Sequence, residues 1–290
     1  MNKQSHSRVT GLCMALVLAA TVTSPMVTAA QSLDAATSAA LDAALAGAHR
    51  SDRNKARDQY RHPKQTLEFF GLRRDMTVVE IWPGGGWYTE VLAPVLKGKG
   101  TLYAAQYGPA TLFDYQPRED AALLEKVKKY PDVFGEVKFT ALWSPNSLVI
   151  APPGSADLVV TFRNVHNWVN PDYKQDTARL FGAFFAVLKP GGVLGVVDHR
   201  WPDAKTEDPK AGNGYVSQER VVALARAAGF EFVGSSDINR NPKDNHDHPN
   251  GVWSLPPDVS VKPGESRQKY LDIGESDRLT LKFRKPVAGK

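Results

Sequence analysis

Val79-Glu80-Ile81-Trp82-Pro83-Gly84-Gly85-Gly86-Trp87-Tyr88-Thr89 joins a short β-rich run to a glycine turn and then to a helix. The run from Met76 to Ile81 has the length and branching of a buried strand. Glycines at its end let the backbone approach a ligand closely, and amides at the following helix start favour anionic groups. Downstream the pattern repeats. A helix is expected from Trp87 to Leu96, a strand over Thr101–Ala105, and a helix over Arg118–Tyr130 with Leu123, Leu124 and Val127 as its apolar face. Strands follow at Val137–Leu142 and Asp157–Phe162. A long helix over Tyr173–Leu188 carries Leu180, Phe181, Phe184, Phe185 and Leu188 at helical spacing, a core stripe. Lys189-Pro190-Gly191-Gly192 turns into a strand at Val193–Val197. A helix over Ser217–Ala228 and strands at Phe230–Val233 and Leu279–Phe283 complete the series. Such alternation predicts an α/β fold, a doubly wound and mostly parallel sheet with helices on both faces.

Upstream, Ser32–Ala48 reads as a helix and Ser51–Arg61 as a charged, solvated connector. Pro63 opens, and Gly71 closes, a helix over Lys64–Phe70. The segment from Asp237 to Ser276 is rich in Pro, Asn and Asp, and a loop of that length is usually functional or disordered. Lys3 and Arg8, an apolar run from Val9 to Ala20 and small residues up to Ala30 have the order of an export signal. The expected division is therefore a signal over 1–30, a helix and connector over 31–62, and one α/β domain over 63–290. The expected location is periplasmic or secreted, with no membrane span left after cleavage. Cys13, the chain's single cysteine, lies in the signal, so the mature chain has no disulfide or thiolate chemistry.

The 290 residues are 42% hydrophobic and 23% charged, which excludes a disordered or collagen-like chain. A net charge of +5 without a basic stripe gives no footprint for nucleic acid. Nicotinamide binding requires Gly-x-Gly-x-x-Gly and an acid after the second strand. Thr89 and Gln106 stand at those places instead. No Gly-x-Ser-x-Gly hydrolase elbow occurs.

Four segments together resemble the class I S-adenosylmethionine (SAM)-dependent methyltransferases, and the nearest likeness is to an exported group with a Glu-Ile-Trp-Pro-Gly-Gly-Gly-Trp-Tyr signature. They are Glu80–Gly86, Ala156–Trp168, Leu188–Val193 and Ala228–Phe230. The resemblance implies a Rossmann-like seven-stranded sheet with an antiparallel last strand, and SAM as cofactor. It implies that Glu80 orients the amino-acid end of the donor and that Gly84, Gly85 and Gly86 admit it. Trp82 stands where the family has its first glycine, and Gln106 where it has the acid for the ribose hydroxyls. Arg163 and Asn164 fall where further cofactor contacts lie, and Asn167, Trp168, Arg200 and Tyr215 where a small substrate is expected.

His166 and His199 are the candidate catalytic residues, because imidazole exchanges protons near neutral pH. Each is equally readable as a hydrogen-bonded structural histidine. Arg200 either clamps an anionic substrate or pairs with Asp198. His246-Asp247-His248 has the look of a metal cluster but reads better as solvated loop, so no metal site is expected. Glu275-Ser276-Asp277-Arg278 is either an ion-paired turn or a lid hinge. Two functions remain: a methyltransferase acting on a small molecule, or an exported binding or scaffold protein on the same fold with donor binding altered or lost.

Overall fold

The computed structural model describes Met1 and residues 32–109 and 111–287. The expected export signal, Met1 aside, lies outside the described residues. The strands are β1 (Thr77–Ile81), β2 (Thr101–Gln106), β3 (Lys138–Ala141), β4 (Ala156–Phe162), β5 (Leu188–Trp201), β6 (Val216–Ser217), β7 (Glu231–Ser236) and β8 (Arg278–Arg284). Seven of them run in the order β3-β2-β1-β4-β5-β8-β7, and the two-residue β6 pairs with the end of β5. The strands from β1 to β6 pair in parallel, and β8 is antiparallel to both β5 and β7. The expected doubly wound, mostly parallel sheet is therefore present.

Helices α1 (Ala35–Ala46), α2 (Asp52–Lys55), α3 (Asp58–Arg61) and α4 (Pro63–Phe70) precede β1. The crossovers use α5 (Thr89–Leu96), α6 (Tyr115–Lys129), α7 (Pro131–Phe134), α8 (Val165–Val169), α9 (Thr177–Val187) and α10 (Gln218–Ala227), and α11 (Arg267–Ile273) precedes β8. Central parallel strands are covered on both faces and so are largely apolar. Val78, Val79 and Ile81 of β1 and Leu158, Val159 and Val160 of β4 are accordingly buried. One face packs with Leu180, Phe181, Phe184 and Trp168, the other with Leu41, Leu67, Phe70 and Leu92.

Several boundaries differ from expectation, each for a local reason. The long helix starts at Thr177, where the Asp176 side chain caps the Arg179 amide, and Tyr173 sits in a separate 3-10 turn behind Pro171. Leu124 faces solvent, while Leu123 enters the core. The Ser51–Arg61 connector is not simply solvated. It forms α2 and α3, and the flanking Arg50 is buried with its guanidinium on both Asp58 oxygens at 2.7 Å. Asn54 reaches both oxygens of buried Glu90 in α5. Nor is Asp237–Ser276 a bare loop, because Leu255, Val259 and Tyr270 give it a small core of its own. Among the described residues no helix is long and apolar enough to cross a membrane.

Gly195, in the middle of β5, lies under the Phe70 ring. A Cβ there would sit 2.6–2.7 Å from three ring atoms. Gly195→Ala is expected to lower stability by about 1–3 kcal/mol, the usual cost of overpacking. Urea denaturation of Gly195→Ala, alone and with Phe70→Leu, checks this. An undiminished midpoint in the single variant contradicts the packing described.

Candidate active site

In an open parallel sheet, ligands bind beyond the carboxyl ends of the strands where the strand order reverses. Here β2 and β3 lie on one side of β1, and β4 and β5 on the other, so the reversal falls between β1 and β4. The glycine turn follows β1 and Arg163–Trp168 follow β4, which places both on the rim of one crevice. The crevice holds a cavity of about 710 Å³, within the usual range for small-molecule sites.

The turn after β1 keeps the backbone of a glycine loop. Gly84 and Gly86 have φ of 55° and 80°, and Trp82 itself has φ of 46°. That left-handed conformation costs a non-glycine residue about 1–2 kcal/mol. The indole is well placed to offset it. It donates from Nε1 to the Leu142 carbonyl at 2.9 Å and packs on Tyr107, Trp143 and Trp168. Trp82 thus braces the ends of β1, β2 and β3 from within while part of it still lines the cavity.

Trp87 and Tyr88 have a different task, which is to hold the α2–α3 segment as a wall. The Trp87 indole donates to the Asn54 carbonyl and lies 4.6 Å from the Arg61 guanidinium. Tyr88 donates to the Arg61 carbonyl at 3.3 Å and stacks on Phe162. Lys126 reaches the Gly85 carbonyl at 2.5 Å and Glu90 at 2.6 Å, tying α6 to the turn.

Glu80, Trp82, Gly84, Gly85, Arg163, Asn164, His166 and Asn167 line the cavity. Gly86 does not line it, and an added Cβ there would meet Leu123 at 2.6 Å, so its role is to let α6 approach. Gln106 turns to the Asp120 carbonyl in α6. Trp168 is core, between Trp82 and Phe184. Arg200 pairs with Asp237 and Asp277 and not with Asp198. Buried Tyr215 gives its hydroxyl to Asp244. His248 bonds Asp244 and His246 faces Asp277, so both histidines of the polar segment are committed to carboxylates. The sequence reading missed Arg57, Arg61, Tyr107, Tyr115, Glu119, Tyr173 and Trp253, which also line the cavity. No local motif announces them, because folding alone brings them together.

His166 and His199 differ in what they offer. Asp198, fully buried, accepts from the His166 and His199 amides and from His166 Nδ1 at 2.8 Å. A carboxylate accepts only, so the proton sits on Nδ1 and the Nε2 lone pair is left for the cavity. Nε2 has no partner among the described residues. His199 is fully engaged, with Ser276 Oγ at Nδ1 and Arg163 Nε at Nε2. Burial, with Arg163 beside it, holds His199 well below the usual imidazole range and hence neutral. Donor atoms of His166, Asp198 and His199 lie within 4.8 Å of one another. Both ring nitrogens of His199 and Nδ1 of His166 already have partners, Arg163 Nε at His199 Nε2 among them.

No protein-family model matches the sequence, and no curated protein is similar enough in sequence to be a relative. Similarity appears in shape. A SAM-dependent methyltransferase from Aquifex aeolicus superposes with a TM-score of 0.50, at 17% identity, over 79% of this chain and 93% of its own. The fold is that of the SAM-dependent methyltransferases. Phosphoethanolamine N-methyltransferase 2 of Haemonchus contortus, a complex with SAM, shares this methyltransferase fold at a TM-score of 0.52, with 16% identity over 78% of this chain and 53% of that one. The [4+2]-cyclase SpnF shares it at 0.56, with 14% identity over 89% of this chain and 99% of its own. The methyltransferase fold therefore carries more than one chemistry, and the activity has to be read from the site.

Glu80 is buried beneath the turn of this methyltransferase fold and accepts from Thr89 Oγ1 at 2.7 Å. Burial pushes its carboxyl up to about 7. The folded protein then holds a proton that the unfolded chain has lost, so stability falls as pH rises from about 4.5 to 7 and levels off above. The slope is about 1.4 kcal/mol per pH unit. Glu80→Gln, which cannot ionise, is expected to gain on the wild type across that window and hold the gain above it. Thermal melts of both proteins from pH 5 to pH 8 test this, and a constant difference contradicts it.

Proposed function

We propose that this crevice is the active site of a SAM-dependent methyltransferase acting on a small molecule. The observation that carries the reading is the Asp198–His166 pair, in which His166 keeps Nε2 unpartnered among the described residues and lines the cavity shared with Glu80 and the glycine turn. An aspartate-oriented imidazole is an arrangement suited to general-base catalysis.

The residues fit the donor. Glu80 suits its ammonium group and the Gly84–Gly85 backbone gives access. Gln106 offers no carboxyl group to the ribose hydroxyls, but Glu119 does. Its Oε2 would lie 2.8 Å from a Cβ on Gly84 and accepts from Tyr107 at 3.0 Å. Tyr107, Tyr115 and the edge of Trp82 supply flat apolar surface beside it. When bound, SAM supplies an electrophilic methyl group. The chain's own share is orientation, which is worth most in bimolecular transfer. His166 Nε2 takes the proton that the attacking group of the acceptor releases, and Asp198 stabilises the resulting imidazolium. General bases of this kind contribute roughly 10²- to 10⁴-fold.

A second reading has its own support. Trp82 fills with indole the place of a family glycine, and the order of residues 1–30 supports export, away from where SAM is made. A binding protein that keeps the fold and has lost the donor satisfies both observations.

Calorimetric titration of residues 31–290 with SAM and S-adenosylhomocysteine separates the two. Saturable micromolar binding is expected for the wild type and for His166→Gln. Gly85→Arg is expected to abolish it, since nothing lies within 4 Å of the added Cβ and the side chain extends without disturbing the fold. No binding at millimolar concentration removes the methyltransferase reading and leaves the second.

A further inference from the structure

Four guanidinium groups converge on one side of the crevice. Arg57 and Arg61 come from the α2–α3 wall, Arg163 follows β4, and Arg278 opens β8. One carboxylate, Glu275, is held among them. It accepts from Arg57 Nε at 2.5 Å, Arg61 Nε at 2.9 Å and Arg278 Nη2. Burial alone would push Glu275 up, and the Arg278, Arg61 and Arg57 charges outweigh it and hold the group well below the usual carboxylate range. The cluster thus has four positive charges against one negative.

Nothing else in contact redresses the balance. Arg163 makes no ion pair among the described residues, and its Nε donates to neutral His199. Nη2 of Arg57 and Nη2 of Arg61 are buried without a hydrogen-bond partner. Glu80, Glu119 and Asp258 also line the cavity, but none makes an ion pair with these arginines, and burial raises both Glu80 and Glu119 toward the neutral form. Arg163 is moreover held at φ of 65°, a conformation that is costly for a non-glycine residue and recurs at functional sites. Buried charge is stable only when paired, and a guanidinium fork is shaped for carboxylate or phosphate oxygens.

We propose that Arg57, Arg61 and Arg163 form an oxyanion subsite for the substrate, which is an acidic small molecule bearing a carboxylate or phosphate group. The three line the same cavity as His166, so an anchored oxyanion sets the rest of the molecule within reach of the base. The assignment rests on the methyltransferase reading for the word substrate, and on geometry alone for the anion.

Calorimetric titration of residues 31–290 with sodium phosphate and with succinate, at constant ionic strength, tests it. Saturable binding of at least one is expected, and the stronger of the two names the anion. Arg163→Gln, which breaks no ion pair, is expected to weaken that binding about tenfold, equivalent to about 1.4 kcal/mol. Arg163→Lys keeps the charge without the fork and is expected to fall between. Binding is expected to persist with saturating S-adenosylhomocysteine present. Absence of saturable binding by both anions overturns the proposal, as does equal binding by Arg163→Gln. Displacement by S-adenosylhomocysteine also overturns it, since the arginines would then serve the donor's own carboxylate. A protein that binds phosphate but no S-adenosylhomocysteine keeps the subsite and loses the methyltransferase reading.

Discussion

The carboxylate of Glu275 is where two distant parts of the chain meet. Arg57 and Arg61 bring the segment before α4, Arg278 brings the last strand, and Glu275 closes the segment that roofs the crevice. Each partner depends on the others. Removing one member of a buried ion pair typically costs about 3–5 kcal/mol, because the remaining charge is left unpaired. The walls of the cavity are in this sense held by charge, while the sheet beneath is held by apolar burial.

The sheet was readable because its signals are local. Val78, Val79 and Ile81 announce a strand within a few residues, Pro63 and Gly71 bracket a helix, and the Phe181–Phe184 spacing identifies a buried face. The rim after β1 and β4 was readable for the same reason, since Glu80 to Gly85 and Arg163 to Asn167 follow strands directly. Arg57, Arg61 and Glu119 were not. A run such as Ser51–Arg61 carries the composition of a solvated surface, and its burial is set by Trp87, Tyr88 and Glu275, partners that share no spacing rule with it. Arg200 shows the converse, for Asp198 two residues earlier suggested a pair, while Asp198 is taken up by His166 and the His199 amide and Arg200 turns to Asp237 and Asp277.

Trp82 shows how a fold absorbs a departure from its usual loop. The backbone there retains the glycine conformation, and the side chain is accommodated by being made structural, with its hydrogen bond to Leu142 and three aromatic neighbours. The crevice is consequently more aromatic at the β2–β3 end, and more strongly cationic at the α2–α3 and β4 end.

The position of Glu275 in a chain of 290 residues has a temporal meaning as well. Synthesis runs from the amino terminus, so the two arginines of the front wall emerge long before the carboxylate that holds them. Until then the crevice has no roof and its positive charges have no internal counter-ion. A newborn chain therefore makes its cationic wall well before the carboxylate that binds it, and the crevice is complete only once Glu275 and β8 have been made.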